Sequence, residues 1–403
     1  MKKMWDISDR RWFMGKDEKI RSIQILDSLE IGDTTLAILE VLFENGNRDF
    51  YTVVEDENKM GKILEEAFID GATKSVFPTE KGHFDFKATC PLPSKHLRTI
   101  KPFALEQSNS AFASPGKFFF KLFRRLQAGN HPEAEIMEHL NKAGFLATPH
   151  FYACCSYKAI SGEAFTIGIL EEHLTDTSDA WTAFNNRMDP ELADELGAET
   201  ARMHKALKDL GGTESHSEDV PFEKLRGLLE QAIKNVNKDG NSPVELCQKV
   251  LERLPELERS FQANATLGNT ASDNATDIFK PQRIHGDFHL GQVLISEPPA
   301  PIKIIDFEGE PTRPLDYRRA LRSPAVDIAG MLRSFRYAAA NSHSDSSAVE
   351  QAFIAGYSRI SGVAPNQILQ AAAPYILAKA VYEACYELEF RPTWFWIPAQ
   401  ALL

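Results

Sequence analysis

RIHGDFHLGQVL, residues 283–294, places Asp287 five positions before Gln292 on a short loop that leads into an apolar run. After a turn at EPPAP the chain returns as IKIIDFEGE (302–310), with Asp306 at the end of a second short apolar piece and Glu308 two residues beyond. An HGD triplet alone recurs by chance, and an aspartate after an apolar run is often a strand-ending cap. The ordered set of acid, amide, acid and acid at these spacings is much harder to obtain by accident.

The chemistry that uses such a set is phosphoryl transfer from ATP. That reaction needs a carboxylate to orient and deprotonate the attacking hydroxyl, oxygen ligands for Mg²⁺, and a cation on the phosphates. Asp287 suits the first role. Gln292 offers a hard cation a neutral amide oxygen and Asp306 a charged one, with Glu308 as a further acid at the metal.

Composition narrows the partners. The chain has 403 residues, 43% of them hydrophobic, and a formal net charge of −12. At about 150 residues per domain this allows two or three units with an ample core. An acidic balance without a block of Lys or Arg argues against nucleic acid and anionic membranes and favours a small molecule. The opening MKKMWDISDRRWFMGK lacks the apolar stretch of about 7–15 residues that secretion signals carry. No segment reaches the ~18 consecutive apolar residues of a membrane span. Cys90, Cys154, Cys155, Cys247 and Cys385 show no CxxC spacing, which suggests neither a disulfide framework nor a zinc site and fits free thiols in a reducing cytoplasm.

The texture of the chain changes from β to α. IQILDSL, TTLAILEVLF and FYTVVE read as strands, the last two joined at an Asn-Gly turn. A short helix is expected over 62–71, then strand-like pieces at HFDFKAT, LRTIKPF and KFFFKLF, and a helix opening at Pro132. FYACCSY and AFTIGILEEHL restore two strands. From Pro190 the period is helical, with Leu192, Leu196, Met203, Leu207 and Leu210 on one face and Thr200 interrupting it. The polar stretch 263–277 reads as a surface loop. The fold class is therefore α+β.

Several stretches resemble the bacterial maltokinases, relatives of the aminoglycoside phosphotransferases within the protein-kinase-like superfamily and close to actinobacterial glucosamine kinases. The segment HGDFHLGQVLISEPPAPIKIIDFEGEPTRPLDYRRALRSPAVDIAGMLRSFRYAA is similar to their catalytic signature, and RWFMGK (11–16) to their opening motif. EQSNSAF (106–112) resembles their phosphate-covering loop, FKLFRRLQAGNHPEAE (120–135) the strand and helix behind it, and KAVYEACYELEFRPTWFWIP their C-terminal end.

The resemblance implies a bilobal kinase-like fold: a β-rich cap over 1–95, an N-lobe over 96–174 and a helical C-lobe over 175–403, with the nucleotide in the crevice between lobes. It makes Lys121 the strand lysine on the ATP phosphates and Glu135 its partner, and charge logic agrees, since a buried lysine needs an acid. A lysine on the solvent face of an edge strand is the alternative. Ser108, Asn109 and Ser110 would cover the phosphates, small donors taking the place of the usual glycines. Glu172 and His173 are the nearest candidates at the adenine, while Arg124 and Arg125 read as a structural or solvated basic turn and Trp12 and Phe13 as packing for the cap. Asp327 resembles the aspartate that braces the catalytic loop and equally resembles a helix N-cap.

For the acceptor, the resemblance points to the last long helix: Tyr382, Glu383, Glu387 and, past its end, Arg391 and Trp394, with Asp287 and His289 beside them. Positions 383, 387 and 391 form one polar stripe of the helix, and Leu377, Val381, Ala384 and Leu388 the buried one. Acids for paired hydroxyls and aromatic faces for C–H patches fit a sugar; an ordinary Glu387–Arg391 surface pair is the alternative. The expectation is an ATP- and Mg²⁺-dependent maltokinase of the cytoplasm, functionally linked to a trehalose-converting enzyme. A glucosamine or aminoglycoside kinase is the second enzyme reading, with the glucosamine amine served by Glu387. A nucleotide-binding scaffold would require a missing catalytic part, and the sequence lacks none.

Overall fold

The computed structural model describes residues 5–103, 109–214, 220–234, 244–268, 279–296 and 302–403. The chain forms two units, Met1–Thr177 and Ser178–Leu403. The first is built on antiparallel sheets and the second is mainly helical, so the α+β class expected from the sequence is the one observed.

In the first unit, β1 (Ile20–Ile31), β2 (Thr34–Phe43) and β3 (Arg48–Val54) form a meander. The Asn-Gly turn between the last two works as read: Gly46 takes φ +89 and Phe43 N donates to Asn47 O at 2.9 Å. Its inner face buries Phe43 and Tyr51 with Ile7 and Phe13. RWFMGK is therefore a packing motif. Trp12 lies 5.9 Å from the Tyr51 ring, and Gly15 sits where a Cβ would meet the Phe43 ring at 2.5 Å.

Helix α1 (Met60–Ala67) leads to β4 (Lys74–Pro78) and β5 (Gly82–Ala88), then α2 (Ser94–Leu97), β6 (Lys101–Phe103), β7 (Ser110–Ala113), β8 (Phe118–Leu122) and β9 (Arg125–Leu126). After α3 (Pro132–Lys142) come β10 (Phe151–Ala159) and β11 (Ala164–Glu172). Strand order in the larger sheet is β4-β5-β10-β11-β8-β7-β6, while β9 joins β3 in the smaller. LRTIKPF is not one strand: Ile100 N donates to Leu97 O at 3.0 Å, and this turn buries Leu97 and Ile100 together at a spacing that strand alternation forbids.

The second unit begins with β12 (Ser178–Asp179), α4 (Ala180–Asn186), α5 (Pro190–Leu207), α6 (Phe222–Lys234) and α7 (Val244–Gly268). The stretch from Ala263, expected as loop, continues α7 to Gly268, and 269–278 lie outside the described residues. Next come β13 (Val293–Ile295), β14 (Ile302–Ile304), α8 (Leu315–Arg318), α9 (Ala325–Ser342), α10 (Ser347–Ser361), α11 (Pro365–Phe390) and α12 (Trp396–Leu402). Helices α5 and α10 cross through glycine: a Cβ on Gly197 would lie 1.9 Å from Phe353 O, and one on Gly356 1.8 Å from Asp194 O. Thr200, the polar interruption, is fully buried and donates its hydroxyl to Leu196 O at 2.7 Å, which satisfies it inside the helix. No helix among the described residues is long and apolar enough to cross a membrane, and the five cysteines are free thiols.

Candidate active site

The quoted loop is held from both ends. Its start is tied to α9: Asp327 Oδ2 accepts from His285 N at 2.8 Å, and Oδ1 from Gly286 N at 2.9 Å. The same carboxylate takes His204 Nε2 of α5 at 3.0 Å, and His204 Nδ1 meets the Tyr357 hydroxyl of α10 at 3.0 Å. Burial works to raise the Asp327 carboxyl, but the His204 bond and the Gly286 N–H outweigh it and hold it below the ordinary carboxylate value. The helix N-cap is Pro324, without a side-chain cap bond, so of the two readings of Asp327 the brace is the one realised.

His285 lies between the Phe288 and Phe307 rings, at 5.1 and 4.9 Å. Its Nε2 reaches Ile305 O at 2.9 Å and its Nδ1 accepts from Asp287 N at 3.4 Å, a pattern that puts the proton on Nε2. Gly286, at φ +86, lets the chain pass close to Gly309. Further along, Leu290 N donates to Ser334 Oγ at 3.0 Å. His289 caps the turn that follows, with Nδ1 accepting from Gly291 N at 3.0 Å; burial pushes its imidazole below the ordinary value, against the pull of the Asp287 charge.

The far end of the loop enters the β13–β14 hairpin, whose register pairs Val293 with Ile304. Ile305 N donates to Gln292 O at 3.0 Å, which brings Gln292 and Asp306 to the same end of that hairpin. Gln292 Nε2 donates to Asp306 Oδ2 at 2.9 Å, leaving the amide oxygen without a hydrogen bond from any described residue. Asp306 adopts φ +67, a left-handed conformation that Asp tolerates better than most residues. The expected neighbours have thus come together. Glu308 differs: its carboxylate is 3.8 Å from Arg318 Nη1, which also donates to Glu308 O at 3.0 Å, so a guanidinium already compensates its charge.

Asp287 itself makes no side-chain hydrogen bond with the described residues. Its one ionic neighbour among them is Lys379 Nζ of α11, 3.9 Å from Oδ1. Tyr382, one turn further along α11, bonds Glu310 Oε1 at 3.3 Å.

The acceptor stripe requires a correction. Glu383 and Glu387 do not face open solvent, because α9 lies against that side of α11. Arg333 Nη2 is 2.6 Å from Glu383 Oε2, and the Tyr337 hydroxyl donates to Glu387 Oε1 at 3.1 Å. Glu387 is only 1% exposed, accepts also from Arg391 Nη2 at 2.7 Å, and keeps Oε2 buried without a hydrogen-bond partner. Trp394 stacks on Tyr337 at 6.5 Å, with the Arg391 guanidinium 5.0 Å above it. The Glu387–Arg391 pair is half interior, not a solvated surface pair.

In the first unit, Lys121 is buried on β8 and pairs with Glu133, at 2.8 Å from Oε2 and 3.1 Å from Oε1. The expected partner, Glu135, instead accepts from Asn130 Nδ2 at 3.0 Å. Two residues along a helix turn a side chain through about 200°, so only one of these acids can face the strand. Asn109 Oδ1 accepts from Arg124 N at 3.2 Å, and Ser110 Oγ from Arg124 Nε at 2.7 Å; Ser108 lies outside the described residues. Arg124 is buried and structural, with its guanidinium also on Thr52 O, on Glu57 and 4.8 Å over the Trp12 ring. Glu172 Oε2 accepts from His150 N at 3.2 Å, while His173 Nδ1 meets Ser114 O at 2.8 Å.

Sequence reasoning missed Glu133, His204, Lys379, Glu310 and Arg333. Glu133 lay inside a quoted motif, beside Pro132. Glu310, Arg333 and Lys379 also lay inside quoted stretches and His204 did not, but the contact each makes is with an element distant in sequence and carries no local signal. Among the described residues no group of three or more His, Cys, Asp or Glu forms a metal cage. The joined Gln292–Asp306 pair nevertheless fits Mg²⁺, which on a nucleotide takes one or two protein oxygens and completes its shell with phosphates and water.

Residues 99–363 match the model of the phosphotransferase enzyme family (APH). A glucosamine kinase of Mycolicibacterium smegmatis is 24% identical over 292 residues, covering 69% of this chain and 68% of that protein. One of Streptacidiphilus jiangxiensis is 31% identical over 145 residues, 35% of this chain and 29% of that protein. Among solved structures, a glucosamine kinase in complex with glucosamine, ADP and inorganic phosphate superposes with a TM-score of 0.69 at 19% identity, covering 94% of this chain and 93% of that one. A crystal form of glucosamine kinase gives 0.66 at 19% identity, covering 94% and 91%. The fold is kinase-like, as the motifs implied.

Proposed function

Because this chain belongs to the phosphotransferase enzyme family, we propose that it transfers the γ-phosphoryl group of ATP to a hydroxyl of an aminosugar of the glucosamine type. The observation that carries the reaction is Asp287: a carboxylate without a hydrogen-bond partner among the described residues, on a loop fixed through Asp327 and ending at the Gln292–Asp306 pair. The acceptor oxygen attacks γ-phosphorus, its proton passes to the Asp287 carboxylate, and the bond to the β–γ bridging oxygen breaks with its electron pair leaving on ADP. Mg²⁺, when bound, supplies positive charge at the phosphates, and Gln292 Oε1 with an Asp306 oxygen would hold it. Lys121, aimed by Glu133, steadies the phosphates, and Asn109 and Ser110 cover them. His289 supports the loop as a neutral ring.

Two observations favour an aminosugar over maltose. The relatives above are glucosamine kinases. Glu387 Oε2 is a buried carboxylate oxygen without a hydrogen-bond partner, beside Trp394 and Tyr337, a setting suited to a ligand ammonium and a sugar face. The test measures ADP release with ATP, Mg²⁺ and, in turn, glucosamine, glucose, maltose and an aminoglycoside. We expect the highest kcat/KM with glucosamine and a loss of ~10² or more in kcat for Asp287→Asn. Preference for maltose would overturn the acceptor, and normal turnover by the variant would overturn the base.

A further inference from the structure

We infer that Lys379 is a positioning residue for Asp287, keeping its carboxylate aimed at the acceptor; this rests on the reading of Asp287 as the base. Lys379 is the one Lys or Arg among the described residues with a nitrogen within 4.0 Å of the Asp287 carboxylate, at 3.9 Å from Oδ1. That separation exceeds a hydrogen bond. The ammonium therefore acts on the carboxylate by charge while leaving its lone pairs to the incoming hydroxyl.

The backbone is built to admit this lysine. Gly330 of α9 lies so close to the loop that a Cβ there would stand 2.5 Å from Phe288 O, and it would also stand 3.8 Å from Lys379 Nζ. The missing side chain lets α9 brace the loop and leaves the ammonium room beside it. The flanking core of α11, Ala380, Val381 and Ala384, is buried, which fixes where the lysine emerges. Both charged side chains remain about one-third exposed, at 34% for Lys379 and 29% for Asp287, so a substrate can reach them.

The other titratable groups gathered at this loop are His285 and His289 on the loop itself, Asp306 after β14, and Tyr382 on α11. The hydrogen bonds of both histidines suit neutral rings, and burial keeps the tyrosine hydroxyl protonated. Asp306 is a second acid at the loop. Lys379 supplies the opposing cation.

The experiment compares kcat and acceptor KM of wild type, Lys379→Met and Lys379→Arg with glucosamine, ATP and Mg²⁺, alongside thermal unfolding. We expect Lys379→Met to lose ~10-fold in kcat with acceptor KM little changed. Lys379→Arg should restore kcat, and the unfolding midpoint should stay put. A Met variant with wild-type kcat overturns the inference, as does a rise in KM alone, which would indicate direct substrate contact. If Met and Arg variants are equally impaired or both unfold early, a packing role replaces the charge role and the inference again fails. Wild-type inactivity toward every acceptor would instead strike the underlying function.

Discussion

The Asp327 carboxylate serves three donors from two separate segments, and replacing it tests how much the loop depends on them. Asp327→Asn keeps the shape but turns one acceptor oxygen into an NH₂ facing a donor, which strands a buried group and costs about 1–3 kcal/mol. Because the folded-state value is depressed, this stabilisation is fully present above the ordinary 3.8 and is lost as pH falls through the lower folded value. Urea titrations should therefore show the largest gap between wild type and variant near neutral pH and a closing gap in acid; a pH-independent gap would contradict the ionised brace. At this scale local spacing made the meeting of Gln292 and Asp306 legible in the sequence. It was illegible for His204 and Lys379, whose partners lie more than eighty residues away. Glu133 and Glu135 show an intermediate failure: the right helix and charge were readable, but helical angle chose the acid.

At the level of elements, the α5–α10 crossing is the tightest packing described. Gly356→Ala would push a methyl into Asp194 O, an overpacked contact expected to cost about 1–3 kcal/mol and visible as a lower thermal midpoint. Gly227→Ala on α6, where a Cβ meets nothing within 4 Å, should instead be neutral or stabilising. Equal behaviour of the two would refute the crossing. Periodicity revealed α5 and treated Thr200 as a defect in its face, yet the i−4 carbonyl absorbs the hydroxyl and the face stays buried. Strand alternation found β2, β3, β8, β10 and β11 but merged α2 with β6, since a three-residue turn and a strand both bury apolar side chains. The stripe expected at the acceptor on α11 was read in the wrong setting: the contacts from α9 that bury Glu387 are tertiary, and one helix's pattern does not contain them.

For the whole molecule, a ligand that binds only the folded chain must raise its stability. ATP with Mg²⁺ at 100 times its Kd should add about 2.7 kcal/mol, and EDTA should remove the Mg²⁺-dependent part. In Asp306→Asn the EDTA-sensitive part should shrink; an unchanged dependence would remove Asp306 from the metal. The family match begins at residue 99, yet the guanidinium of Arg124 leans on Trp12, Thr52 and Glu57, all upstream of it. A gene trimmed to the matched region would leave that cation facing an emptied interior, so the recognisable enzyme and the smallest autonomous polypeptide are different objects. Anyone grafting this scaffold elsewhere has to carry its N-terminal residues along.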